Sequence, residues 1–155
     1  MSIKLFLFLI GRTALLAGAA LLLPLVFSLL WQEPGTLAFG LPALFVMAVG
    51  ILLSAAGRQH KKQLTAKEGA FFMALVWLVL SLIGMLPYVV SGSLGWVDAF
   101  FESVSAFTTT GASCLPGEEG GMRTLIFWHS IMEWLGGLNF IVLLVTVLPQ
   151  VSGCF

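Results

Sequence analysis

The chain has 155 residues, 59% of them hydrophobic and 9% charged, with a formal net charge of zero and a mean hydropathy of +1.07. Set against the roughly 25% charged residues of an ordinary soluble domain, this balance excludes a soluble fold, which could not cover so much apolar surface. Zero net charge gives no basis for a nucleic-acid partner, and the few charges matter through where they sit, at the ends of apolar runs.

The first run, Thr13 to Leu30, carries no charge and follows Lys4 and Arg12. With part of Leu5–Ile10 it is long enough to cross a hydrocarbon core about 30 Å thick as a helix. It closes at Trp31-Gln32-Glu33-Pro34-Gly35. The small residues Ala17-Gly18-Ala19 lie inside the run and not after it, so a retained span is expected in place of a cleaved signal peptide. Leu37 to Ala56 is the second run, with Pro42 near its start, where proline does least harm to a helix. Gly69 to Val90 is the third. The fourth runs from near Thr124 to Leu148-Pro149, interrupted only by His129 and Glu133.

Lys and Arg in short loops are retained on the cytoplasmic side. Lys4 and Arg12 precede the first span, and Arg58, Lys61, Lys62 and Lys67 lie between the second and third, whereas the first loop has neither Lys nor Arg. Both termini are therefore expected to be cytoplasmic. The outer loops then carry Glu33, Asp98, Glu102, Glu118 and Glu119 against Arg123 alone. Two readings of that bias are open: an acidic face that concentrates cations, and a merely solvated loop.

Between the third and fourth spans, Val97, Phe100, Phe101, Val104 and Phe107 recur at helical spacing and mark one face of an amphipathic helix. At about 1.5 Å rise per residue this helix is too short to cross a bilayer. It lies on the surface or re-enters from it. The following Thr108-Thr109-Thr110-Gly111 ends the helix, and the chain must return through Cys114-Leu115-Pro116-Gly117, which favours re-entry. Polar, glycine-centred backbone at membrane depth is tolerated only where protein buries it or it lines a water-filled cavity. Asp98 and Glu102 suit the positive end of such a half-helix, whose C-terminal carbonyls would face a cation. An extended Thr-Thr-Thr-Gly backbone can aim successive carbonyl oxygens at an ion that has shed its water. Gly111 permits dihedral angles that a side chain would obstruct. A polar turn joining an interfacial helix to the fourth span is the other reading of the same residues.

Five stretches carry a family resemblance: Leu64-Thr65-Ala66-Lys67-Glu68-Gly69, Leu86-Pro87-Tyr88, Asp98-Ala99-Phe100-Phe101-Glu102-Ser103, Phe107-Thr108-Thr109-Thr110-Gly111-Ala112 and Trp134-Leu135-Gly136-Gly137. Together they resemble the first membrane–pore–membrane unit of the Trk/Ktr/HKT potassium transporter superfamily, in its TrkH-type branch. The resemblance implies an all-α membrane protein with four transmembrane helices and a re-entrant pore helix and filter loop between the third and fourth. Residues 1–60 would form an N-terminal transmembrane helix pair and residues 61–155 a single membrane–pore–membrane unit. It further implies potassium uptake across the plasma (inner) membrane, with the ion held by backbone oxygens of Thr108, Thr109, Thr110 and Gly111, chiefly the middle two. Ser113, Glu133 and Asn139 are assigned pore-supporting roles. Potassium is the transported species, with no organic cofactor and no other metal. The implied partners are membrane lipid, the remaining pore units or other copies of the chain, a dimer of complete subunits, and a cytosolic nucleotide-binding regulatory subunit.

The chain departs from the pattern in two places. Members of the superfamily join four membrane–pore–membrane units, and this sequence holds one, with no second Thr-Thr-Gly segment between spans. A truncated fragment is the expected explanation, ahead of one piece of a split transporter and of a homotetramer. The alternative function is accordingly that of a structural membrane fragment that does not conduct by itself. The second departure is Leu138-Asn139-Phe140, where the family tends to continue Met-Gly or Leu-Gly. Asn139 either hydrogen-bonds across helices or faces the permeation path, and packing is the preferred reading. Gly136 and Gly137 read as a site of close helix approach. Glu133, an acid inside a span, is a functional candidate: it braces the pore loop, pairs with Arg123 or His129, or, least favoured, binds the ion directly.

Catalysis is not expected. Cys114 and Cys154 fall on opposite sides of the membrane and cannot form a disulfide, and neither has a neighbouring His to activate it. His60 and His129 fall at different depths, which disfavours a metal cluster. Gly117–Gly121 lacks the lysine and hydroxyl residue of a phosphate loop.

Overall fold

A computed structural model describes residues 3–33, 35–57, 66–115 and 122–152. The loop charges Arg58, Lys61, Lys62, Glu118 and Glu119, together with His60, Pro116, Gly117 and Cys154, lie outside the described residues.

All regular structure among the described residues is helical: α1 (Ile3–Leu30), α2 (Thr36–Ala56), α3 (Ala66–Gly84), α4 (Leu86–Val90), α5 (Trp96–Phe107) and α6 (Arg123–Ser152). Four stretches are long and apolar enough to cross a membrane, namely Ile3–Leu30, Thr36–Ala56, Phe71–Val90 and Arg123–Val142. The third contains a break at Met85 that the hydropathy of Gly69 to Val90 does not reveal. Pro87 sits in the first turn of α4, where its missing N–H and fixed φ suit a helix start better than a helix interior.

Small residues let α1 and α2 approach closely. A methyl group on Gly11 would stand 2.6 Å from the backbone nitrogen of Ser54, and one on Gly18 would stand 2.6 Å from Cγ of Met47. Such contacts suit a membrane, where lipid tails compete with apolar side chains and close backbone packing provides the attraction. Large apolar residues of the same helices, among them Leu16, Leu44 and Leu52, point outward.

The core lies where α2, α3, α4, α5 and α6 converge, around Phe39, Tyr88, Ala99, Ala106, Phe107, Trp128 and Met132. Two links fix α6 near its N-terminal end. Glu33, in the α1–α2 connection, accepts the backbone N–H groups of Arg123 at 3.0 Å and Thr124 at 3.2 Å, and the Thr124 hydroxyl bonds the same carboxylate. These are N–H groups that a helix start leaves without internal partners, and a carboxylate there also meets the positive helix pole. Trp128, fully buried, donates its indole N–H to the carbonyl of Gly84 at 3.0 Å and so ties α6 to the end of α3.

Candidate functional site

The apolar face read from α5 is not its buried face. Val97 is 81% exposed and Phe101 49%, whereas Ala99, Glu102, Ser103 and Ala106 are buried. Phe107 alone of the five apolar positions is buried. The helix turns its small and polar side inward, as a helix does when protein, and not the surroundings, must satisfy its polar groups.

At its C-terminal end α5 closes in a Schellman turn. The N–H of Thr109 bonds the carbonyl of Ala106 at 3.0 Å and the N–H of Thr110 bonds the carbonyl of Ser105 at 2.9 Å. Thr109 holds the left-handed position of that turn, with φ at 55°. Glycine is the usual occupant, and a β-branched residue there stores backbone strain of a kind that clusters at functional sites. The hydroxyls around it are engaged locally: Thr109 Oγ1 donates to the carbonyl of Thr108 at 2.7 Å, Thr108 Oγ1 donates to the carbonyl of Val104 at 2.8 Å, and the Thr108 and Thr110 hydroxyls are 2.8 Å apart.

Gly111 follows with φ at 75°, again a conformation that disfavours a side chain. Residues 108–114 are all exposed. Among the described residues no hydrogen bond ends on the carbonyls of Thr109, Thr110, Gly111 or Ala112. Four successive acceptors are thus left free, between a fixed start and a fixed end.

The fixed end is made by Glu102, which is fully buried on α5. One carboxylate oxygen accepts the Ser113 hydroxyl at 2.7 Å and the other accepts the backbone N–H of Cys114 at 2.7 Å. His129 on α6 places Nδ1 2.7 Å from the same Glu102 Oε1, off the line of an aligned N–H bond, and Nε2 3.3 Å from Oε1 of Glu133. The imidazole therefore stands between two carboxylates.

Glu133 and the paired glycines lie on the side of α6 that backs this loop. A Cβ on Gly111 would stand 3.9 Å from Glu133 Oε1, and one on Gly137 would stand 4.0 Å from Cγ2 of Thr109. A Cβ on Gly136 would overlap the carbonyl oxygen of Phe107 and lie 2.7 Å from its carbon. No residue with a side chain fits at that crossing of α5 and α6. Asn139, one turn further along, has its amide nitrogen buried with no hydrogen-bond partner among the described residues.

The structure thus gathers Thr108, Thr109, Thr110, Gly111, Ser113 and Glu133 in one place, and sets Asn139 beyond them on α6. Of the pairings open to Glu133, His129 is the one formed. Bracing of the loop by carboxylate hydrogen bonds falls to Glu102, which sequence reasoning assigned only to the helix pole alongside Asp98. The available signal was its position four residues after Asp98 on a helix with an apolar opposite face, but reading it required knowing that the apolar face points outward.

Four membrane-length helices, with a short helix and a polar, glycine-containing loop between the third and fourth, define a multi-pass α-helical membrane protein. The chain belongs to the TrkH family of cation transport proteins, whose family model matches residues 38–154. The family is one of transporters and not of enzymes. The chain is 34% identical over 142 residues to the Trk system potassium uptake protein TrkH of Salmonella typhimurium, covering 90% of this chain and 29% of that protein. It is also 34% identical over 142 residues to an uncharacterized cation transporter of Methanocaldococcus jannaschii, covering 91% of this chain and 30% of the relative. The crystal structure of the potassium transporter TrkH from Vibrio parahaemolyticus superposes with a TM-score of 0.90 at 30% identity, over 96% of this chain and 32% of that one. The chain thus spans about three tenths of the length of the curated relatives it matches.

Proposed function

We propose that this chain contributes one of four selectivity-filter segments to a TrkH-type potassium uptake system of the plasma (inner) membrane. The observation that carries the reading is the run of free, exposed carbonyls from Thr109 to Ala112, anchored at both ends and entered through the left-handed Thr109. In this reading α5 is a re-entrant pore helix, and the carbonyls replace water around a potassium ion. Thr108, Thr109, Thr110 and Gly111 are the ion-binding residues. The Thr108 carbonyl already accepts the Thr109 hydroxyl, and its second lone pair remains for the ion. Ser113 supports the loop through Glu102, and Glu133 lies behind Gly111. Asn139 supports α6 by packing.

Residues 1–60 act as a helix pair that brackets the single membrane–pore–membrane unit of residues 61–155, with both termini cytoplasmic. The partners are the remaining pore units, a second complete subunit and a cytosolic nucleotide-binding subunit. These assignments draw support from the potassium transport named for the relatives.

The test is growth at low potassium of cells lacking their own uptake systems, carrying this chain together with the remaining pore units of a TrkH relative. Rescue is expected, and Gly111→Val is expected to abolish it while leaving the protein in the membrane. Rescue that persists in Gly111→Val would overturn the filter assignment. Absence of rescue by the parent would leave the reading of a structural membrane fragment that does not conduct.

A further inference from the structure

The start of the proposed filter is held by main-chain hydrogen bonds of the Schellman turn, but its end is held by one side chain. We infer that Glu102 is a positioning residue for ion selectivity, fixing the outgoing limb of the filter from behind, with His129 packed against it from α6. The inference rests on the filter reading above and adds residues that do not touch the ion.

Glu102 has no solvent exposure, so each of its oxygens must be satisfied by protein. Ser113 Oγ and Cys114 N each donate to a separate Glu102 oxygen at 2.7 Å, so both oxygens are used. Ser113 Oγ also accepts the N–H of Leu115 at 3.1 Å, which passes the restraint one residue further. His129 is the group that approaches the carboxylate from a different helix, and its 13% exposure leaves it nearly enclosed. Loss of either bond at residues 113 and 114 frees the limb immediately after Gly111. Selection between ions of different radius depends on where the carbonyls are held and how many reach the ion, and a supporting shell that loosens a site degrades it before it abolishes it.

A structural role alone would lower the amount of folded protein without changing which ion passes, so the readout is the potassium-to-sodium uptake ratio per unit of protein in the membrane. It is measured on the full chain assembled with the remaining pore units. Glu102→Gln removes the charge with little change in volume and is expected to lower the ratio about tenfold, as loss of a charge-assisted hydrogen bond does. Ser113→Ala, at an exposed position, is expected to lower it by a smaller factor. The double variant should lose less than the product of the two single losses, because the Ser113–Glu102 bond is common to both changes. Should Glu102→Gln fail to accumulate, Ser113→Ala and His129→Gln carry the test. An unchanged ratio in Glu102→Gln, or in both of these substitutes, overturns the inference while Gly111→Val still abolishes uptake. A double variant whose loss is the product of the two single losses overturns it also. Continued uptake in Gly111→Val would overturn the filter reading and this inference together.

Discussion

In the α1–α2 hairpin, Gly11 faces the backbone nitrogen and hydroxyl of Ser54, whereas Gly18 faces the flexible Met47 side chain. Between α5 and α6, Gly136 faces the main-chain carbonyl of Phe107, and elsewhere along the same helix pair Glu102 meets Ser113 and His129. Both are close helix crossings built on glycine. The difference is what can yield: a methionine side chain can change rotamer, whereas the end of α5 is pinned by its own turn, by Glu102 and by α6. At Gly136 the unyielding neighbour is the end of α5, where the free carbonyls need a fixed frame.

The largest expected effect comes from breaking the crossing that cannot yield. Gly136→Val should push α6 off Phe107 at a cost at or above about 3 kcal/mol, at the upper end for overpacking. Detergent-solubilised protein should lose its single size-exclusion peak, and uptake should vanish. Gly18→Ala inserts a group of the same kind against Met47 and should cost about 1 kcal/mol or less. Equal shifts in melting temperature for Gly136→Ala and Gly18→Ala would show that the two crossings do not differ as described.

Trp128→Phe probes the link between α6 and the end of α3. It leaves the Gly84 carbonyl without its buried donor and should destabilise by about 1–3 kcal/mol. A melting temperature equal to that of the parent would mean that the indole contributes packing alone. Gly84 is itself closely packed: a Cβ there would strike the Ser103 hydroxyl and lie 2.6 Å from Sδ of Met132.

The same contrast separates what the residues reveal by themselves from what they conceal. Hydropathy exposes the four spans because a membrane demands length and apolarity, and both are additive along the chain. The short α5 and the Thr-Thr-Thr-Gly segment stand out for the opposite reason, as polar sequence between spans. The facing of α5 does not stand out, since periodicity locates an apolar face without saying whether protein or lipid meets it. Val97 and Phe101, read as part of that apolar face, are exposed. The bond from Glu33 to the start of α6 joins residues 90 apart in sequence and leaves no local pattern. Gly136 was legible as a close approach, but its partner, a carbonyl at the end of α5, was not.

Glu33→Ala tests whether the hairpin is mechanically joined to the α5–α6 pair. Removing a helix-start cap costs about 1 kcal/mol, so a modest fall in melting temperature is expected. If hydrogen exchange at the first turn of α6 remains as slow as in the parent, the hairpin does not stabilise that turn through Glu33. A faster exchange confined to Arg123 and Thr124 would place the coupling at those two N–H groups.

The smallest effect should have the opposite sign. Asn139 buries its amide nitrogen with no hydrogen-bond partner among the described residues. An unsatisfied buried donor is unfavourable, and replacing it by an apolar group of similar size removes that penalty. Polar side chains that do find partners across membrane helices contribute about 0.6 kcal/mol on average. Asn139→Leu should therefore raise the melting temperature slightly and leave the potassium-to-sodium ratio unchanged. A fall in stability would show that the amide has a partner in the assembled transporter, and a changed ratio would move Asn139 from the packing of α6 to the permeation path.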